Sequence, residues 1–248
     1  MQRLPGQRMP ILFERPTYEW VARVNQKHKQ LAGLLLSVDD KQKLDRWTEI
    51  EFVYSTLRLE GVDLNRDLVA RISARRASSQ APPEDSVVSG SVSAFLETLR
   101  TVTSIAREQR EGFTLSVDLL LELNNKLIAQ DRTSNVTAEN LPVALDSACQ
   151  WFTADSFVEL HPIEQASIVL LRLIDIKPFD QTNERTALVA ASLFTLRSGL
   201  PPIIIEPDAQ PAYRAALEEG LRMNTKPMVE FVADSIGKIL GELIRQVK

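Results

Sequence analysis

Apolar residues that recur at steps of three and four constrain this chain more than any other feature. Leu44, Trp47, Ile50, Tyr54 and Leu57 form one such stripe, opened by Ser37-Val38-Asp39-Asp40 in the form of a capping box and stopped at Gly61. That period puts the apolar side chains on one face of a helix; in a strand they would scatter over both faces. The same spacing in Trp20, Val21, Val24, Leu31, Leu34 and Leu35 predicts a helix after Pro16. Asn65 or Asp63 caps a short helix running through Ile72. Further helices fit residues 88–110, 117–129, 142–154, 162–176, 184–198, 208–223 and 227–246, with Pro162 and Pro227 as openers and Gly199 as a stop. Residues 77–87 read as an exposed linker, and the polar run 130–142 as a loop with room for a very short β-hairpin at most. Leu200 to Glu206 has strand-like composition, but Pro201 and Pro202 make it an extended connector. The expected fold class is mainly α, with an N-terminal helical segment and linker over 1–87 packed as one unit with a core over 88–248.

A chain of 248 residues with 44% hydrophobic content can bury one sizeable core. Its 29 basic and 33 acidic residues provide no general attraction to nucleic acid or anionic membrane, and Arg71, Arg75 and Arg76 make only a small basic cluster of the solvated kind. Neither partner is expected. The single cysteine, Cys149, has no internal disulfide partner and reads as a buried small hydrophobe. No stretch reaches the roughly 18 apolar residues needed to span a bilayer, and the start Met-Gln-Arg-Leu-Pro-Gly lacks the apolar run of a signal peptide, so a cytoplasmic location is expected. Metal-ligand spacings such as C-x-x-C or H-E-x-x-H are absent from the sequence.

The chemically informative segment is Lys177-Pro178-Phe179-Asp180-Gln181-Thr182-Asn183-Glu184-Arg185-Thr186, between two apolar helices. A loop entering a helix exposes backbone N–H groups at the positive end of the helix dipole, so the start of the 184–198 helix suits an anion such as a phosphate. Arg185 adds a possible bidentate contact to the same anion. The competing reading is structural: Thr182 or Asn183 caps the helix, and Glu184 complements its dipole. The loop alone does not separate the two.

The segment resembles the signature of the Fic (Fido) family, His-Pro-Phe-x-acid-Gly-Asn-Gly-Arg-x-x-Arg, with Pro178, Phe179, Asn183 and Arg185 in register. Upstream, Thr56-Leu-Arg-Leu-Glu60-Gly61 is similar to the family's inhibitory motif, and the two motifs stand in the family's order. Leu141-Pro142, Gln150-Trp151-Phe152, His161-Pro162 and Tyr213 fit the flanks, so the resemblance runs from about Trp20 to Ile239. It implies the Fic/Fido helical fold with an N-terminal helical extension and a short flap near Arg132–Leu141. It also implies AMP transfer from ATP, with magnesium, to hydroxyls of a protein target, and frequent homodimers. A second, local likeness is to the Doc toxins, phosphate-transferring relatives, over Arg185-Thr186-Ala187-Leu188 through Gly199.

Each departure from the signature weakens a different step. Lys177 stands at the position of the family's histidine, the general base. A lysine serves as a base near neutrality only after burial or cationic neighbours remove about 4–5 kcal/mol of its preference for the proton, and a neighbouring triphosphate acts in the opposite direction. Gln181 stands at the position of the acidic residue that holds magnesium, with Asp180 one place earlier; a carboxamide is a weaker ligand for a hard cation. The two glycines that let amides approach the phosphates are Thr182 and Glu184 here, and a carboxylate about 4 Å from a phosphate charge costs on the order of 4 kcal/mol at an effective dielectric of about 20 unless it turns away. The second arginine is Leu188, so Glu60 lacks the partner the family gives it and is expected to reach Arg185 or Lys177 instead. The leading reading is a degenerate Fic protein that has lost efficient AMP transfer, with nucleotide or protein binding as what remains. The alternatives are an active nucleotidyl or phosphoryl transferase using Lys177 with Glu60 as a brake, and a non-catalytic interaction or dimerisation protein.

Overall fold

A computed structural model describes residues 19–77, 87–109, 113–128 and 143–247. The linker expected over 77–87 lies almost wholly outside these residues, and the expected flap lies entirely outside them. The described residues are helical and contain no strand: α1 (Glu19–Ala32), α2 (Val38–Leu59), α3 (Arg66–Ala77), α4 (Val87–Glu108), α5 (Val117–Leu127), α6 (Val143–Trp151), α7 (Asp155–Val158), α8 (Pro162–Ile176), α9 (Asn183–Arg197), α10 (Gln210–Leu221) and α11 (Lys226–Gln246).

Local chemistry explains most of these boundaries. Ser37 and Asp40 close a reciprocal capping box at the start of α2, the Asp40 amide donating to Ser37 Oγ at 3.0 Å and the Ser37 amide to Asp40 Oδ2 at 3.3 Å. At the other end Gly61 takes φ +82°, which lets the Val62 amide reach the Leu57 carbonyl and the Gly61 amide reach that of Arg58. This Schellman turn stops the helix at Glu60. Asn65 caps α3 through a bond from the Leu68 amide at 2.9 Å. The helix expected over 142–154 is α6, which ends at Trp151, and a short helix that was not expected, α7, follows from Asp155. Trp151, Phe152 and Phe157 meet there as an aromatic cluster with centroids 5.1–5.9 Å apart, and Phe157 reaches Phe194 of α9 at 5.6 Å.

α9 is the centre of the molecule. Every residue from Arg185 to Thr195 is buried, and the helix is enclosed by α8, α4 and α5. α1 lies along α11, where Lys27 Nζ donates to the Gly237 carbonyl at 2.7 Å, so the first and last helices meet. α2 packs on α3 and α4, Phe52 meeting Phe95 edge to face at 5.5 Å. Leu200–Glu206 is an extended, largely buried connector, as its prolines predict. Cys149 is buried, and burial pushes its thiol up to about 11, consistent with an inert core residue. No helix among the described residues is long and apolar enough to cross a membrane.

His161 starts α8: its Nδ1 accepts from the Ile163 amide at 3.2 Å, its ring packs edge-on against Trp20, and burial holds its proton affinity below the usual imidazole value. The folded state therefore resists the proton that the unfolded chain accepts. Stability should be full above about pH 6.5 and fall as pH drops below it. Thermal unfolding between about pH 7.5 and 5.5 should show this decline, and His161→Asn, which keeps a capping acceptor but does not titrate, should flatten it.

Candidate functional site

α8 and α9 are joined by the turn Lys177–Thr182, which is shaped by backbone geometry more than by side chains. Lys177 ends α8 in the left-handed conformation (φ 47°), and Thr182 precedes α9 in the same conformation (φ 57°). Thr182 occupies one of the glycine positions of the signature, and the backbone there still takes the conformation that glycine adopts without strain. Phe179 is buried, and Asn183 clasps it: Asn183 Oδ1 accepts from the Phe179 amide at 2.9 Å while Nδ2 donates to the Phe179 carbonyl at 2.5 Å. Pro178 is buried beside it. From α5, Asn124 Nδ2 lies within donating distance of the Gln181 carbonyl (3.1 Å), Thr182 Oγ1 (2.8 Å) and Thr186 Oγ1 (3.0 Å).

A cleft of about 730 Å³ opens against this turn. Gln181 to Arg185 form one wall; Leu59 at the end of α2, with Glu60 and Val62 just beyond it, faces them, and Val87, Val88 and Ser91 of α4, Leu127 and Ile128 at the end of α5, and Arg214 of α10 complete the lining. Arg185 is 5% exposed, and its guanidinium binds the Glu60 carboxylate through Nε at 3.3 Å and through Nη2, while Nη1 donates to the Leu127 carbonyl at 3.3 Å. The ring of Phe95 lies 5.7 Å from the same guanidinium. Of the two partners expected for Glu60, the structure selects Arg185. Thr56 is buried in α2 and Gly61 forms the turn that presents Glu60 at the helix end.

Glu184 lines the cleft and is held there by α10. Its carboxylate takes Arg214 Nη1 at 2.7 Å, Arg214 Nη2 at 3.2 Å and the Tyr213 hydroxyl at 2.9 Å. Burial, then the neighbouring carboxylate, push the Tyr213 hydroxyl far above its ordinary value, so it stays protonated and donates. Lys177 and Asp180 are exposed and lie outside the cleft lining, unlike Gln181 and Thr182. Leu188, at the second arginine's position, is fully buried in the apolar core.

Magnesium does not fit the residues present. Gln181 offers a neutral oxygen, both cleft carboxylates are bound to arginines, and no cluster of three or more metal-ligating side chains occurs among the described residues.

Two members of the site escaped sequence reading. Asn124 had a signal: Leu120, Leu123, Asn124 and Leu127 are the buried face of α5, and a lone amide on an apolar face needs polar partners. Arg214 had none, since its role depends on where α10 docks.

Removing Glu60 leaves the buried Arg185 guanidinium without its carboxylate. Glu60→Ala is expected to lower unfolding free energy by about 3–5 kcal/mol in denaturant titrations. Glu60→Ala combined with Arg185→Leu should recover part of that loss, because no charge is then stranded.

Comparison with known proteins fits this geometry. Residues 114–195, from the segment before α5 into α9, match the Fic/DOC family. Over 222 residues the chain is 25% identical to protein adenylyltransferase fic-1 of Caenorhabditis briggsae, a match covering 82% of this chain and 43% of that protein. The chain thus spans less than half the length of this curated relative. The fold is similar to that of a solved Fic-1 fragment from C. elegans, with a TM-score of 0.75 at 23% identity, covering 91% of this chain and 70% of that one. It is equally similar to a Fic domain containing signaling protein from Bacteroides thetaiotaomicron, with a TM-score of 0.74 at 19% identity, covering 91% and 96% of the two chains. With a Fic/DOC family match over residues 114–195, which bring α5 and the start of α9 to the cleft, and with the Fic fold shared over most of its length, the chain is similar to protein adenylyltransferases of that family.

Proposed function

We propose that this protein is a Fic-type protein that has lost efficient AMP transfer and keeps the cleft as a ligand-binding site. One observation carries the reading: every ionisable side chain that lines the cleft among the described residues is already committed to an ion pair. Glu60 is held by Arg185 and Glu184 by Arg214, while Lys177, at the position of the family base, is exposed and outside the lining. A general base must lie within hydrogen-bond reach of the hydroxyl it activates. No lining group is placed to do so without first breaking an arginine–carboxylate pair. The neutral Gln181 and the absence of an unpaired carboxylate from the lining argue against the metal-assisted route that the family relatives suggest.

The buried Glu60–Arg185 pair supports a second reading, a braked enzyme, because it engages the one signature arginine that this chain retains. The two are separated by incubating wild type, Glu60→Gly and Lys177→Ala with labelled ATP and following incorporation into the protein itself and into candidate target proteins. Loss of transfer predicts background labelling in all three. Strong labelling by Glu60→Gly that disappears when Lys177→Ala is added would replace the proposed function with the braked enzyme.

A further inference from the structure

The two arginines of the cleft are held in different ways. Both are paired with a carboxylate from another helix, but Arg185 is buried, whereas the Arg214 side chain is 48% exposed and its partner Glu184 lies at the start of α9. Arg214 presents its guanidinium fork to both oxygens of Glu184, and the Tyr213 hydroxyl adds a third donor to the same carboxylate. Three donors converging on one carboxylate are the arrangement that recognises a phosphate ester, so Glu184 sits where such a ligand group would bind. Counting formal charges, the two arginines and two glutamates of the lining cancel. Leu59, Val62, Val88, Leu127 and Ile128 make much of the remaining surface apolar.

This balance discriminates by charge. An anion gains a guanidinium only by displacing a carboxylate, which then stands beside it as a like charge. An uncharged ligand of similar shape incurs neither cost and can use the apolar wall, and a cleft of about 730 Å³ is within the size range of small-molecule sites. Resting on the reading of the cleft as a ligand site, we propose that Glu184 sets its charge selectivity: the resting protein takes an uncharged ligand of nucleoside size, and Glu184 excludes the phosphorylated forms by occupying Arg214 and Tyr213.

Isothermal titration of the full chain with adenosine and with ATP tests this, using wild type, Glu184→Gln, and Glu184→Gln combined with Arg214→Gln, each confirmed as folded by its thermal melt. Wild type should bind adenosine at least as tightly as ATP. Glu184→Gln should tighten ATP by about tenfold or more, the scale of one charge-assisted bidentate contact, while moving adenosine by less than about threefold. The gain should shrink with added salt and vanish when Arg214→Gln is introduced. Tighter ATP than adenosine binding by wild type, or unchanged ATP binding in Glu184→Gln while adenosine still binds, overturns the selectivity and leaves the cleft reading intact. Failure of all three folded proteins to bind either compound overturns the cleft reading and this inference with it.

Discussion

Burial of α9 on all sides governs the geometry of everything functional in this protein. A helix whose residues Arg185 to Thr195 are all buried cannot slide or rotate without disturbing α4, α5 and α8 together. Its N-terminal turn is therefore fixed in space before any ligand is considered. That rigidity sustains a local cost: Lys177 and Thr182 hold left-handed backbone conformations that non-glycine residues adopt at about 1–3 kcal/mol each, the β-branched Thr182 more reluctantly. Such conformations persist only where the surroundings over-determine them. Here the Asn183 clasp on Phe179 and the Asn124 amide provide that constraint.

The same burial makes Arg185 a demand that the N-terminal helices satisfy. A guanidinium 5% exposed must be paired and hydrogen-bonded, and the partner comes from the far end of α2. Glu60 is poorly placed by local rules, because a carboxylate at a helix C-terminus faces the negative end of the dipole. Its placement there makes sense only with Arg185 opposite, and the Gly61 turn ends α2 at the point that allows the contact. The ion pair thus ties α2 to the core helix across the cleft.

How much of this was legible in the sequence depends on whether the cause was local. The ends of α2, α8 and α9 follow from Ser37, Gly61, His161 with Pro162, and Gly199, whose capping and turn chemistry acts within a few residues. The helix α7 was not legible, because four residues are too few to carry a periodic signal. In the site, the two motifs narrowed the partner of Glu60 to Arg185 or Lys177, and only coordinates could choose, since the choice depends on which face of α9 meets the end of α2. The expectation that Glu184 disturbs an anion unless it turns away was sound physics with an open sign. The direction it takes is set by Arg214 and Tyr213, thirty residues distant at most and on a helix whose docking no local pattern encodes.

The two ion pairs of the cleft differ in what it takes to break them, and that difference orders any rearrangement. Separating a buried arginine from its only carboxylate costs about 3–5 kcal/mol, whereas exposed pairs contribute about 0–1 kcal/mol because water competes for both partners. The Arg185 side chain is 6% exposed and that of Arg214 is 48% exposed, while Glu60 and Glu184 are alike at 19% and 21%, so the pairs differ through their arginines. A ligand entering the cleft therefore meets a fixed electrostatic wall at Glu60 and a yielding one at Glu184. Displacing Glu184 from Arg214 is therefore the less costly change, and the Glu60 contact also ties α2 to the core helix.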